Sequence, residues 1–231
     1  AQTVYFFWAY LQLDEKKISF IVPSGNFGNI FSAHVAQLMG LPIEELHVVT
    51  NQNDILNKII SFGEMKVNEV KKTYSPSMDI QISSNFERQI FESVNSNSDS
   101  VKNIFKEFNN KKFYKFDKKT FDHFKNIYTS NSVTDKKILD TINLYQSKNN
   151  YLSDPHTATG LSLLNEINSP DHPYVSLACA HPSKFGNIIQ KATGFTPSFP
   201  KELENIFDKD EKLTILDNNS SKIKSHIIKN I

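Results

Sequence analysis

Two glycines three positions apart, in Ser24-Gly25-Asn26-Phe27-Gly28-Asn29, sit between the β-rich run Ile18 to Val22 and a helical run that opens at Ile30. Glycine is scarce, with 7 in 231 residues. A Gly-x-x-Gly at a strand-to-helix junction therefore marks a backbone that turns sharply and lets something approach closely. The first amides of a helix have no intrahelical acceptor and lie at the positive end of its dipole, so such a loop can cradle an anion without a basic side chain. Two glycines at such a junction are also ordinary punctuation in α/β proteins. The spacing is neither G-x-x-x-x-G-K-[ST] nor G-x-G-x-x-G, which disfavours a P-loop or dinucleotide fold and leaves a smaller phosphorylated ligand.

The surrounding pattern alternates. Helices are expected over 1–14, 30–39 and 53–61, strands over 17–22 and 46–50, and a further β-rich piece at Ile80 to Ser83. Such alternation argues for an α/β layer with parallel strands. Gly40-Leu41-Pro42 closes one helix before the next strand, and Asn53 or Asp54 is a plausible N-cap for the helix carrying Ile55, Leu56, Ile59 and Ile60. Residues 86–150 change texture, with a polar run from Asn95 to Ser100 followed by segments rich in Lys, Asn and Phe, and read as a small insertion of amphipathic helices. Lysines such as Lys102, Lys106 and Lys115 interleave there with Phe105, Phe108, Phe113, Phe116, Phe121 and Phe124, a mixture that suits stacking against nucleic acid. Phenylalanines three apart are more simply the buried stripe of a helix, and Glu107, Asp117 and Asp122 dilute the positive charge. After residue 151 the α/β texture returns, with a helix through Leu161 to Ile167, a strand at 174–178, a helix at 184–193, and a closing strand (213–216) and helix (221–228).

With 26 basic and 25 acidic residues the net charge is +1, so nothing global draws the chain to nucleic acid or an anionic membrane. The single cysteine, Cys179, rules out an internal disulfide and points to a reducing, cytoplasmic setting. The apolar run Val4 to Leu13 is shorter than the roughly 20 residues a bilayer span needs. Its residues are apolar all round, which predicts burial on several sides and the expectation that this chain is the C-terminal part of a longer polypeptide.

Six blocks in one order resemble threonine synthase: Val22-Pro23-Ser24-Gly25-Asn26-Phe27-Gly28-Asn29, Thr50-Asn51-Gln52-Asn53-Asp54-Ile55-Leu56, Ser75-Pro76-Ser77-Met78-Asp79-Ile80, Ser84-Asn85-Phe86-Glu87-Arg88, Asp154-Pro155-His156-Thr157-Ala158 and Ala180-His181-Pro182-Ser183-Lys184-Phe185. The resemblance implies an open, mostly parallel three-layer sheet of the tryptophan-synthase-β type with a small helical insertion. Residues 1–85 and 151–231 would form the α/β cofactor domain around the insertion at 86–150. It implies pyridoxal 5'-phosphate as cofactor, and conversion of O-phospho-L-homoserine and water into L-threonine and phosphate. The residues that would hold the cofactor phosphate are Gly25, Asn26, Phe27, Gly28 and Asn29.

Where the family has a Thr that meets the pyridine nitrogen, this chain has Cys179, a weaker donor and acceptor but likewise neutral. A small buried apolar role for Cys179 stays open. The family's Schiff-base lysine lies in an N-terminal half not represented here, so no catalytic residue is assigned, and the missing half would be a partner. Lys184 is expected at the surface or in a hydrogen bond. No metal site is expected. His156 and His181 are candidates for acid–base work, since an unperturbed imidazole titrates near pH 6.5, yet each also suits a capping role. Asp79, Glu87 and Arg88 read as packing and ion-pair residues. Other pyridoxal-phosphate enzymes of this fold, such as serine or threonine dehydratases and β-replacement enzymes, and a non-catalytic module without the lysine half, are the alternatives.

Overall fold

A computed structural model describes residues 1–168 and 170–231. The chain divides into two compact units, Ala1–Pro197 and Ser198–Ile231.

Among the described residues the first unit contains six strands: β1 (Ile18–Pro23), β2 (Ile43–Thr50), β3 (Glu64–Lys66), β4 (Phe113–Lys115), β5 (Tyr128–Ser132) and β6 (Tyr174–Ser176). Four of them form a parallel sheet in the order β5-β2-β1-β6, while β3 and β4 make a separate antiparallel pair. Its helices are α1 (Thr3–Leu11), α2 (Gly28–Leu38), α3 (Ile55–Phe62), α4 (Phe86–Ser93), α5 (Ser98–Lys111), α6 (Lys118–Ile127), α7 (Asp135–Asn149), α8 (Pro155–Leu164) and α9 (Gly186–Thr193).

Every residue of β1 is buried, as a central parallel strand covered on both faces should be. Its alternation assigns the faces. Phe20 and Val22 point with Leu46 and Val48 into a core built with α2 to α6, whereas Ile21 points with Val49 into a second core formed by Ile138, Ile142, Ala158 and Ile189 on α7, α8 and α9. Three layers result, as expected.

Several expectations need correction. Residues 80–83 are not a strand; Ile80 packs toward Gly25, and Gln81 Nε2 donates to Asn53 Oδ1 at 3.2 Å. Segment 86–150 is largely helical but also supplies β5, paired with β2 from Leu46↔Tyr128 to Thr50↔Ser132, and its Phe86, Phe108, Phe116 and Phe124 lie in the main core. No contact boundary at 85/86 or 150/151 sets it apart from the rest of the first unit. The burial expected around α1 is met on one side only: Phe6 is fully buried against Phe20, while Val4, Tyr5, Trp8 and Leu11 are exposed.

The second unit holds α10 (Ser220–Lys229), whose N-cap Asn219 accepts hydrogen bonds from the Ser221 and Lys222 amides. Residues 213–216, expected as a strand, form no strand, and most of the unit is exposed. Among the described residues, no helix is long and apolar enough to cross a membrane.

Candidate functional site

The pocket of interest lies beyond the carboxyl ends of β1 and β6, which are neighbours in the sheet. Ligands in open parallel sheets bind at that edge. Its volume is about 440 Å³, and it is lined by residues 23–29 on one side and by Cys179, Ala180, Lys184 and Phe185 on another, with Ser77, Met78, Asn85 and His156 between them. The loop and Cys179, 150 positions apart in sequence, thus share one cavity. A larger groove of about 1320 Å³ runs along α2, α4 and α5, lined by Phe31, Leu38, Phe91 and Phe105 together with Arg88, Lys102 and Lys106.

The loop is shaped by where its carbonyls go. Gly25 O accepts from Ser83 Oγ at 2.9 Å, and Asn26 O accepts from both the amide (3.1 Å) and Nδ2 (3.0 Å) of Asn85. With those carbonyls tied to residues 83–85, the amides of residues 25–29 find no acceptor in the chain among the described residues. Two side chains share this state: Ser24 Oγ and Asn29 Oδ1 are buried without a hydrogen-bond partner. Buried polar groups left unpaired are rare and call for an explanation such as a ligand. A donor-rich concavity at the N-terminus of an eleven-residue helix suits an anion.

The sharp turn is made by an unexpected residue. Phe27, the N-cap of α2, adopts φ 65° and ψ 4°, the left-handed region, whereas Gly25 and Gly28 do not have positive φ. Gly25 serves close packing instead. A Cβ on Gly25 would stand 3.1 Å from Met78 Cα and 3.2 Å from Ser77 O, backbone that cannot easily give way. Phe27 is held by burial, with its ring edge-to-face against Phe86 (4.9 Å) and Tyr128 (5.4 Å).

On the opposite wall, the Cys179 amide donates to Thr157 Oγ1 at 2.8 Å and the Ala180 amide donates to Asp154 Oδ2 at 3.1 Å. Cys179 is exposed to the cavity. Even so, partial desolvation by the surrounding protein, followed by the nearby Asp154 carboxylate, pushes its thiol up to about 12. A thiol so placed stays neutral near pH 7. Asp154 itself caps α8, accepting the His156 amide at 2.9 Å, with Pro155 at the first helical position. Burial pushes its carboxyl up, but hydrogen bonds from His156 and Thr157 outweigh this and hold it below the ordinary carboxylate range.

His156 Nδ1 lies 2.8 Å from Asp154 Oδ1, and its Nε2 accepts the Ser77 amide at 3.1 Å, so both ring nitrogens are engaged. His181 is exposed and caps the short turn Pro182–Phe185, its Nδ1 accepting the Ser183 amide at 3.2 Å. Lys184 lines the cavity and has no carboxylate partner among the described residues. Asp79 forms no ion pair among the described residues: it accepts from Asn51, Asn53 and Thr73, all neutral. Glu87 and Arg88 form no ion pair among the described residues and line the larger groove. Ser24, Ser77, Asn85 and Thr157 were not singled out from sequence. Only the Asp154-Pro155 cap-and-first-turn pattern carried a local signal for the second wall.

A Ser19–His172–Asp171 chain, with contacts of 2.6 Å each, has the order of a nucleophilic triad. Ser19 is fully buried and its Oγ already accepts the Glu45 amide at 3.1 Å, so no substrate can reach it. It closes the amino-terminal edge of the sheet.

A family model described as "Threonine synthase, C-terminal" matches residues 157–227. Threonine synthase of Pseudomonas aeruginosa is 36% identical over 98% of the chain and 49% of its own length. A pyridoxal-phosphate-bound threonine synthase from Brucella melitensis superposes with a TM-score of 0.88 at 37% identity, over 98% of this chain and 49% of that one. Threonine synthase from yeast gives a TM-score of 0.85 at 32% identity, over 99% and 50% respectively. The chain spans about half the length of the relatives it matches.

Proposed function

The chain is a relative of the threonine synthases, aligned to the C-terminal half of their length, and from that relation we propose that it forms the part of such an enzyme that holds pyridoxal 5'-phosphate while O-phospho-L-homoserine and water become L-threonine and phosphate. The observation that carries this reading is the shared cavity: an amide-lined loop with spare donors on one wall and a neutral thiol on the other.

The residues present fit the cofactor at both ends. Its phosphate would be taken by the amides of Gly25, Asn26, Phe27, Gly28 and Asn29, and the unpartnered Ser24 hydroxyl would gain an acceptor. Cys179 would meet the pyridine nitrogen as an uncharged group, so nothing on this wall forces that nitrogen to stay protonated. When bound, the cofactor supplies a conjugated ring that stabilises negative charge on substrate carbons. The chain's own part is to bind, orient and exclude water: Phe185, its ring 4.7 Å from that of His156, covers the wall beside Cys179. The lysine that anchors the cofactor belongs, on this reading, to an N-terminal half that is also this chain's partner, and the setting is cytoplasmic.

The test is phosphate release. The intact protein, loaded with cofactor, is expected to liberate phosphate from O-phospho-L-homoserine with equimolar L-threonine. Ammonia from L-serine or L-threonine in place of phosphate would move the protein to the dehydratases, and neither product would defeat the enzymatic reading.

A further inference from the structure

We infer that Asp154 and His156 act as a positioning relay that fixes the span between the 24–29 loop and Cys179, and that neither is an acid–base catalyst; the purpose of the relay rests on the cofactor reading above.

Asp154 is fully buried, and its two oxygens accept four hydrogens: from the His156 amide, His156 Nδ1, Thr157 Oγ1 and the Ala180 amide. That fills the lone-pair directions of a carboxylate and leaves none for substrate. His156 is nearly as buried. A backbone amide can only donate, so the Ser77 amide at 3.1 Å requires an unprotonated Nε2, which leaves the ring proton on Nδ1, pointing at Asp154 at 2.8 Å. The tautomer is set by two partners whose roles cannot reverse. With its proton held by a buried carboxylate and its lone pair by an amide, the ring has nothing to exchange.

What the ring does is join walls. On one side, Ser77 and Met78 press on Gly25 closely enough that no Cβ fits comfortably. That segment is stiffened from behind by Asp79, which accepts from Asn51 Nδ2 (2.8 Å), Asn53 Nδ2 (2.9 Å), Thr73 Oγ1 (2.6 Å) and the Thr73 amide (3.0 Å). On the other side, Asp154 and Thr157 hold the amides of Ala180 and Cys179. A continuous path of packed backbone and hydrogen bonds therefore runs from Gly25 through Ser77, His156, Asp154 and Thr157 to Cys179. In metal sites, groups that orient the ligating residues change affinity by about 10- to 100-fold when removed, and an effect of that order is expected here.

Three measurements on the intact protein test the relay. Long-range proton–nitrogen correlation on nitrogen-15-histidine-labelled apoprotein at pH 7 is expected to show His156 protonated on Nδ1 alone; a proton on Nε2 overturns the inference, and this readout needs no cofactor. Cofactor titration of His156→Gln, whose amide oxygen can replace Nε2 as acceptor for Ser77 and whose backbone amide still donates to Asp154, is expected to give a Kd within about threefold of the parent. His156→Phe, similar in shape but without an acceptor, is expected to weaken binding at least tenfold. Phosphate release by H156Q is expected to follow its cofactor occupancy, whereas loss of turnover at full occupancy marks a proton-transfer role and overturns the assignment. Equal binding by H156F and the parent does the same. Absence of cofactor binding by the parent would instead overturn the function proposed above, a failure told apart by the tautomer.

Discussion

Removing the Phe27 ring tests whether the loop is held by the core or by its glycines. Phe27 is buried to 1% exposure, makes two edge-to-face contacts, and carries the left-handed turn that starts α2. Truncating such a ring to alanine costs about 3 to 5 kcal/mol. An L-residue held at φ 65° also carries a backbone penalty of about 1 to 2 kcal/mol. Alanine keeps that penalty. Glycine removes it, while returning about 0.4 to 1 kcal/mol of freedom to the unfolded chain. Phe27→Gly is therefore expected to be the more stable of the two variants by roughly 0.5 to 1 kcal/mol, both lying well below the parent. Urea unfolding of the three cofactor-free proteins, with slopes compared to exclude changes in the unfolded state, reads both quantities. An F27A loss below about 1 kcal/mol, or an F27G variant less stable than F27A, would refute the idea that the core enforces the turn.

Ser24→Ala removes a buried hydroxyl that has no partner among the described residues. The variant is expected to raise cofactor-free stability by about 1 kcal/mol while weakening cofactor binding about tenfold, consistent with one charge-assisted bond; thermal melts and cofactor titration check the two halves. Alkylation of Cys179 by iodoacetamide at pH 8 is expected to run more than about a hundredfold slower than that of a free cysteine, because the thiolate is the nucleophile and this thiol is pushed up to about 12; mass spectrometry follows the rate. Burial, first among the causes at both sites, holds His47 and His123 below the ordinary histidine value. Their neutral forms favour the folded state, so the stability they contribute is complete above the unfolded value of about 6.5 and is lost as pH falls through the folded values. Melting temperatures are expected to drop between about pH 6.5 and 5, less so in a His47→Gln variant.

The sheet centre was legible because β1 is apolar apart from Ser19 and β2 closes with Leu46, Val48 and Val49, and α2 and α3 are bounded by Gly, Pro and Asx residues whose turn chemistry is local. The edge was not. β5, Tyr-Thr-Ser-Asn-Ser, is polar beyond Tyr128 and becomes a strand through the hydrogen-bonding template of β2, about 80 positions away. Ile80-Gln81-Ile82-Ser83 shows the converse: its alternation mimics a strand, but its polar groups are engaged by Asn53, Asn68 and Gly25 across the loop. The glycines were expected to make the sharp turn and do not; Gly25 is instead crowded by the backbone of Ser77 and Met78. That the left-handed residue would be Phe27 was not readable, since the strain is tolerated only because Phe86 and Tyr128 clamp the ring. Likewise Cys179 came from motif likeness, while the Asp154–His156 pair depends on Ser77 and Ala180, partners more than 20 positions away on either side.

Because the loop follows β1 and Cys179 follows β6, the two walls of the cleft spring from neighbouring strands, about 4.8 Å apart in a hydrogen-bonded sheet. That gauge comes from peptide geometry and is indifferent to side chains. A variant chain in which an extra strand slid between these two would double the gap and part the two grips by more than one small flat molecule can reach. Topology, ahead of any residue in the pocket, thus limits what size of guest can be held at both ends.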